Sequence, residues 1–214
     1  MPKRPDLNDR DTWVRLLQHH ATAEEATPSV HPPQHGFDAD DPGVEAWTIA
    51  GSAADPDRFL GIAGLNASAG GDGPMLSPRD DLAIEVWTEC ELSVLHAGWR
   101  IILAGHGDRE PRRTLLARLR AAVAWHLEHT QPDNATSRPW GIHAFLDLGR
   151  PDVEAIDYAA NMLHAAESAR TSGGGNDRLR GWILDDAARG LREVATPRIG
   201  GVESIELGIE DGGR

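Results

Sequence analysis

Cysteine is nearly absent from this chain, with Cys90 the only one in 214 residues. A lone thiol excludes an intrachain disulfide and any metal site built on a cysteine cluster. Lysine is as scarce, since Lys3 is the only one among 21 basic residues. The arginine that remains accompanies abundant Ala, Gly and Asp, a pattern of GC-rich coding, and says little about function. No segment approaches the ~18 consecutive apolar residues of a membrane span. The chain opens Met-Pro-Lys-Arg and then turns acidic, with no apolar run resembling a signal peptide. Reaction-announcing motifs are missing too: there is no G-x-S-x-G and no Walker loop. Gly61-Ile62-Ala63-Gly64 lacks the context of a dinucleotide site. These absences predict a soluble, cytoplasmic protein with no cofactor.

What is present fits a folded domain. The chain is 40% hydrophobic and 26% charged, ordinary values for a globular protein, and its length suits one well-buried core. The formal net charge of −13 repels nucleic acid and anionic lipid. Arg112, Arg113, Arg118 and Arg120 share a segment with a strong apolar face and no interleaved aromatics, so they form no nucleic-acid patch. Neither a nucleic acid nor a membrane is expected as a partner; an unidentified protein or small molecule is.

Apolar residues recurring at helical spacing predict an all-α chain. A first helix is expected from about Asp9 to Glu25, then an irregular loop from Thr27 to Gly43 and a short apolar piece, 44–50, of undecided type. Asp55-Pro56 reads as an N-cap with proline at the first helical position, opening a helix to about Leu65. Asn66 to Pro78, rich in Gly, Ala and Ser, reads as a flexible connection. Asp80 or Asp81 should cap a helix to Ala104, stopped by Gly105, and Asp108 the next, to His129. Ser137 should cap a short helix carrying Trp140 to Leu148. Further helices are expected over Pro151–Arg170 and Asp177–Ala195, with Val202 to Ile209 a terminal strand or a disordered tail. The whole is read as one helical domain over 1–214: a loop-rich part (1–78), a helical core (80–195) and a tail (196–214). Helix and polar loop recur near Trp87, Trp140 and Trp182, which suggests stacked antiparallel hairpins behind an irregular N-terminal third.

Polar residues on faces that should be buried carry the functional information. At about 100° per residue, Glu85, Glu89, Ser93, His96 and Arg100 form one polar stripe, read as a solvated face. Glu91 lies opposite, among Ile84, Trp87, Val94, Leu95 and Ile102, where a carboxylate needs a partner or a cavity. On the following helix, Leu115, Leu119, Val123 and Leu127 define the buried face and His126 falls within it. The short connection between the two helices predicts antiparallel packing, so Glu91 and His126 can meet. Such a pair either fixes helix register or orients an imidazole as base or ligand.

The stretch from Trp125 to Phe145 concentrates stacking, titratable and turn-forming groups: Trp125, Asp133, Asn134, Trp140 and His143 are the candidate binding residues. His126 and His129 are spaced to share a ligand on a helix, with Asp133, His143 or His164 to complete a metal site, but the H-E-x-x-H spacing is missing and no metal is assigned. Cys90 falls on an apolar face and reads as buried and inert. Asn66-Ala-Ser68 and Asn134-Ala-Thr136 match the glycosylation sequon, without consequence in a cytoplasmic chain.

Gln131-Pro132-Asp133 followed by Pro139-Trp140-Gly141 resembles the Gln…Asp-Gly-x-Trp-Gly loops of α/α-toroid proteins related to squalene cyclases and prenyltransferase β-subunits. The resemblance covers about a dozen residues, and extra residues separate Asp133 from Trp140. It implies an arc of an α/α toroid or solenoid, with loops joining outer to inner helices. It transfers no catalytic residue, because the family's aspartate-rich acid motif is not visible.

Two functions follow as expectations. The first is a non-catalytic binding or interaction module that uses the Trp125–His143 corner or an acidic helix face. The alternative is a small-pocket hydrolase or lyase, with or without a metal, built on Glu91, His126 and His129. The enzyme requires those three to converge on an open cavity; a binding module does not.

Overall fold

The computed structural model describes residues 6–24, 42–53, 55–62, 72–131, 137–149, 152–174 and 176–195. The described residues are all-α: α1 (Arg10–Ala23), α2 (Pro42–Gly51), α3 (Pro56–Leu60), α4 (Ile84–Ala104), α5 (Arg109–His129), α6 (Ile142–Leu148), α7 (Val153–Ala169) and α8 (Arg178–Ala195). The expected terminal strand over 202–209 lies outside them, as do Asp133, Asn134 and both sequon asparagines.

Local chemistry sets many of the boundaries. Asp9 caps α1 by accepting the amides of Asp11 and Thr12, and Asp55 caps α3 through the amide of Arg58, with Pro56 in the first turn. α3 ends at Leu60, shorter than the spacing predicts. The undecided piece before it is helical as α2. Neither Asp80 nor Asp81 caps α4: Asp81 accepts instead from Arg79 at 2.9 Å, and Ala83 holds the cap position. Ser137 does not cap α6 either, because Gly141 occupies that place in the left-handed region at φ +73°. α7 runs on into a π-helical turn, Arg170–Gly174.

α4 is the axis of the fold. It packs against α2, α3, α5, α6 and α8, while α1 lies along α8. The most extensive helix contacts, α2 on α4 and α1 on α8, join elements that are not neighbours in the chain. A solenoid or toroid arc stacks each hairpin on the next, so these contacts lend the toroid resemblance no support. Trp13, Leu17, Leu92, Leu95, Leu115 and Phe145 lie in one continuous core, each worth about 1.5–3 kcal/mol of burial. Gly98 lets α3 and α5 approach α4 closely: a Cβ there would lie 2.8 Å from Leu119 Cδ2 and 3.0 Å from Phe59 Cζ. Glu91 lies opposite His126 and Gly98 opposite Leu119, so residues advance on α4 as they retreat on α5. The two helices are antiparallel.

The solvated stripe expected on α4 does not exist as such. Ser93 and His96 are fully buried, and Glu89 and Arg100 are half-buried. Periodicity placed these residues on one face correctly, but α6 and α8 cover that face with polar partners instead of leaving it to water. Among the described residues, no helix is long and apolar enough to cross a membrane.

Candidate functional site

Glu91 and His126 meet inside the α4–α5 interface, with Nε2 3.5 Å from Oε1 and both side chains fully buried. The carboxylate is already committed. Its two oxygens accept the amides of Met75 and Leu76, each at 2.6 Å. Arg118 donates to Pro74 O at 3.0 Å, and Trp87 Nε1 to Ser77 O at 3.1 Å, so side chains of α4 and α5 hold the segment 74–77 by its backbone. Burial lowers the Arg118 guanidinium pKa, opposed by the charges of Glu91 and Asp72.

On its other edge, His126 Nδ1 lies 3.1 Å from Thr130 Oγ1. That hydroxyl is also 3.0 Å from His126 O and 2.7 Å from Tyr158 Oη. Burial pushes the Tyr158 phenol up to about 12, partly offset by Thr130. His129 takes no part: its Nδ1 faces Trp125 O at 3.0 Å and its ring stacks on Trp125, centroids 4.9 Å apart. His126 and His129 therefore diverge, one into the core and one to the surface. Among the described residues, no group of three or more His, Cys, Asp or Glu is placed to hold a metal ion.

A second polar cluster lies where α4, α6 and α8 meet. His96 Nδ1 accepts the Gly141 amide at 3.2 Å, which leaves the proton on Nε2 to be donated to Asp186 Oδ2 at 2.9 Å. Arg100 Nε and Arg189 Nη2 each approach Asp186 to 3.3 Å. Burial lowers the His96 pKa against the pull of Asp186. For Asp186, burial acts upward but is outweighed by His96, Arg100 and Arg189, so its pKa is lowered. His143 sits edge-on to His96, ring centroids 4.3 Å apart, with neither nitrogen bonded among the described residues. Burial, reinforced by His96 and Arg100, drives its pKa well below the usual value.

The Trp125–His143 corner is thus split between two places. Trp125 is half-buried on the α5 surface, edge-on to Trp87. Trp140 is a core residue that donates to Glu89 at 3.3 Å and packs on Trp182 and His96, and His143 is equally internal. The polar groups missed from sequence are His96, Asp186 and the Glu24–Arg180 pair, bonded at 2.7 and 3.0 Å with both residues buried. Asp186 had a readable signal, since it follows Leu179, Trp182 and Ile183 at helical spacing, as Glu91 stands among apolar neighbours on α4. The chain matches no protein-family model, no curated protein and no solved structure.

Proposed function

We propose that this chain is a non-catalytic binding or interaction module whose buried titratable groups hold the helices in register. The observation that carries this reading is the commitment of Glu91: fully buried, both oxygens bonded to backbone amides of the chain itself. A general base needs a lone pair directed at a substrate. His129, the third member an enzyme would require, is turned away onto Trp125. The charge of −13 weighs against nucleic acid as the partner and favours a protein or small molecule.

An enzyme reading draws on one observation. Thr130, His126 and Glu91 follow one another in the order hydroxyl, imidazole, carboxylate, which activates nucleophiles elsewhere, but His126 Nε2 approaches Glu91 only to 3.5 Å and is not hydrogen-bonded among the described residues. Thr130 Oγ1, however, lies within bonding distance of both Tyr158 and the His126 carbonyl. Glu91→Gln, His126→Gln and the double variant separate the two readings. The binding module predicts losses of about 1–3 kcal/mol for each single variant, with strong coupling in the double. Hydrolysis or elimination on a panel of esters, amides and hydroxy acids that vanishes in Glu91→Gln at an unchanged melting temperature would overturn it.

A further inference from the structure

α8 meets the rest of the fold along a seam of aromatic and titratable groups. Its most extensive neighbour is α1, and it also packs on α6 and α4. His143 of α6 sits tightly against α8: a Cβ at Gly190 would lie 2.8 Å from its Cδ2 and 3.4 Å from Arg100 Nη1. Trp182 of α8 is edge-on to Trp47 of α2 with ring centroids 5.2 Å apart, and its ring lies 6.2 Å from that of Trp140. Four buried polar atoms on this seam have no hydrogen-bond partner among the described residues: Trp47 Nε1, Trp182 Nε1 and both nitrogens of His143. Each forgoes the bond that water would give it, so closing this seam stabilises the fold less than its buried area suggests.

The charges around the two imidazoles leave no room for another proton. Arg100 faces them from α4, and Asp186 and Arg189 from α8, with Glu193 of α8 held by Arg100. The carboxylate of α6, Asp147, is taken by Arg10 and Trp99. A proton added to His143 therefore finds no acceptor and stands beside Arg100 and His96. A proton added to His96 Nδ1 removes the acceptor of the Gly141 amide and sets two N–H groups against each other. Closure needs both rings neutral, and burial keeps them so. We propose that α8, with α1 packed on it, opens from the rest of the fold as a unit, and that His96 and His143 make this opening acid-driven. Once exposed, each imidazole takes up a proton at the ordinary value, so acidification from pH 7.5 to 5 favours the open form by up to about 30-fold per ring.

The test is amide exchange on the full chain at pH 7.5 and 5.0, corrected for the intrinsic effect of pH on exchange. At pH 5.0 the amides of residues 13–17 on α1 and 182–191 on α8 should exchange at similar rates, at least about tenfold faster than those of 115–123 on α5. The acceleration of α8 between the two pH values should shrink by about tenfold or more in His143→Leu, which removes one of the two titrating rings. His143→Gln makes the same comparison where the leucine variant does not fold, and the unaltered protein alone decides the first comparison. Equal protection of α5 and α8 at pH 5.0 would overturn the proposal, since the fold would then open only as a whole. Exchange of α8 without α1 ends it too, as does an acceleration that survives the loss of the His143 imidazole.

Discussion

His96 and Asp186 stand 90 residues apart in sequence and 2.9 Å apart in the fold, a bond that pins α8 to the middle of α4. His96 holds Gly141 with its other nitrogen, so one imidazole joins three helices. Asp186→Ala would strand the buried His96 N–H, while Arg100 keeps Glu193 and Arg189 keeps Asp185, at a cost of about 3 kcal/mol. The melting temperature should fall by about 10 °C, and Asp186→Asn, which keeps an acceptor oxygen, should lose less. A wild-type melt for the alanine variant would refute the role assigned to this pair.

Acid should destabilise the protein through its buried histidines. His96 and His143 are held neutral, with folded pKa values below the ordinary 6.5, so the unfolded chain binds more protons as pH falls through 6.5. Their contribution is complete above that pH and is lost progressively below it. Asp186, lowered from 3.8, keeps its contribution throughout that window. Urea midpoints at pH 7.5, 6.0 and 5.0 should decline, and His143→Leu should flatten the decline. A midpoint independent of pH in this range would contradict the assignment.

Tyr158 is the only tyrosine, so phenolate absorbance near 295 nm reports on it alone. Its titration should centre at about 12, against an ordinary 10.0. The folded state favours the protonated phenol, so this contribution is present below pH 10 and is lost as the pH rises towards 12. Tyr158→Phe should cost about 0.5–1.5 kcal/mol by removing the bond to Thr130. A midpoint near 10 in the folded protein would show the ring to be exposed.

Gly141 cannot accept a side chain without strain. Its φ is +73°, and a Cβ would lie 3.2 Å from Leu92 O, a backbone atom with little room to give. Gly141→Ala should cost about 1–3 kcal/mol and loosen the amide bond to His96. Thermal melts and the His96 ring proton shifts would check both effects. Unchanged ring shifts alongside unchanged stability would mean that α6 is not held at this point.

The helices of this chain were legible from residue type and spacing. Asp9, Asp55 and Gly105 mark helix ends by chemistry that acts within a turn. Glu91 and His126 stood out as polar residues on apolar faces, and the antiparallel α4–α5 pairing brings them together. The choice of Asp80, Asp81 and Ser137 as caps failed because many side chains can cap a helix, and neighbouring structure selects among them.

The sequence by itself determined that the chain is helical, where most of the helices run, and which polar groups would need partners. Only the tertiary structure decided who those partners are. Helical periodicity tells which residues share a face but not what covers it, so Ser93 and His96 looked solvated until α6 and α8 closed over them. Trp125, Trp140 and His143 looked like one corner, yet α4 stands between their environments. Burial and hydrogen bonding across 90 residues depend on how helices pack, and that information is not local to any stretch of the chain.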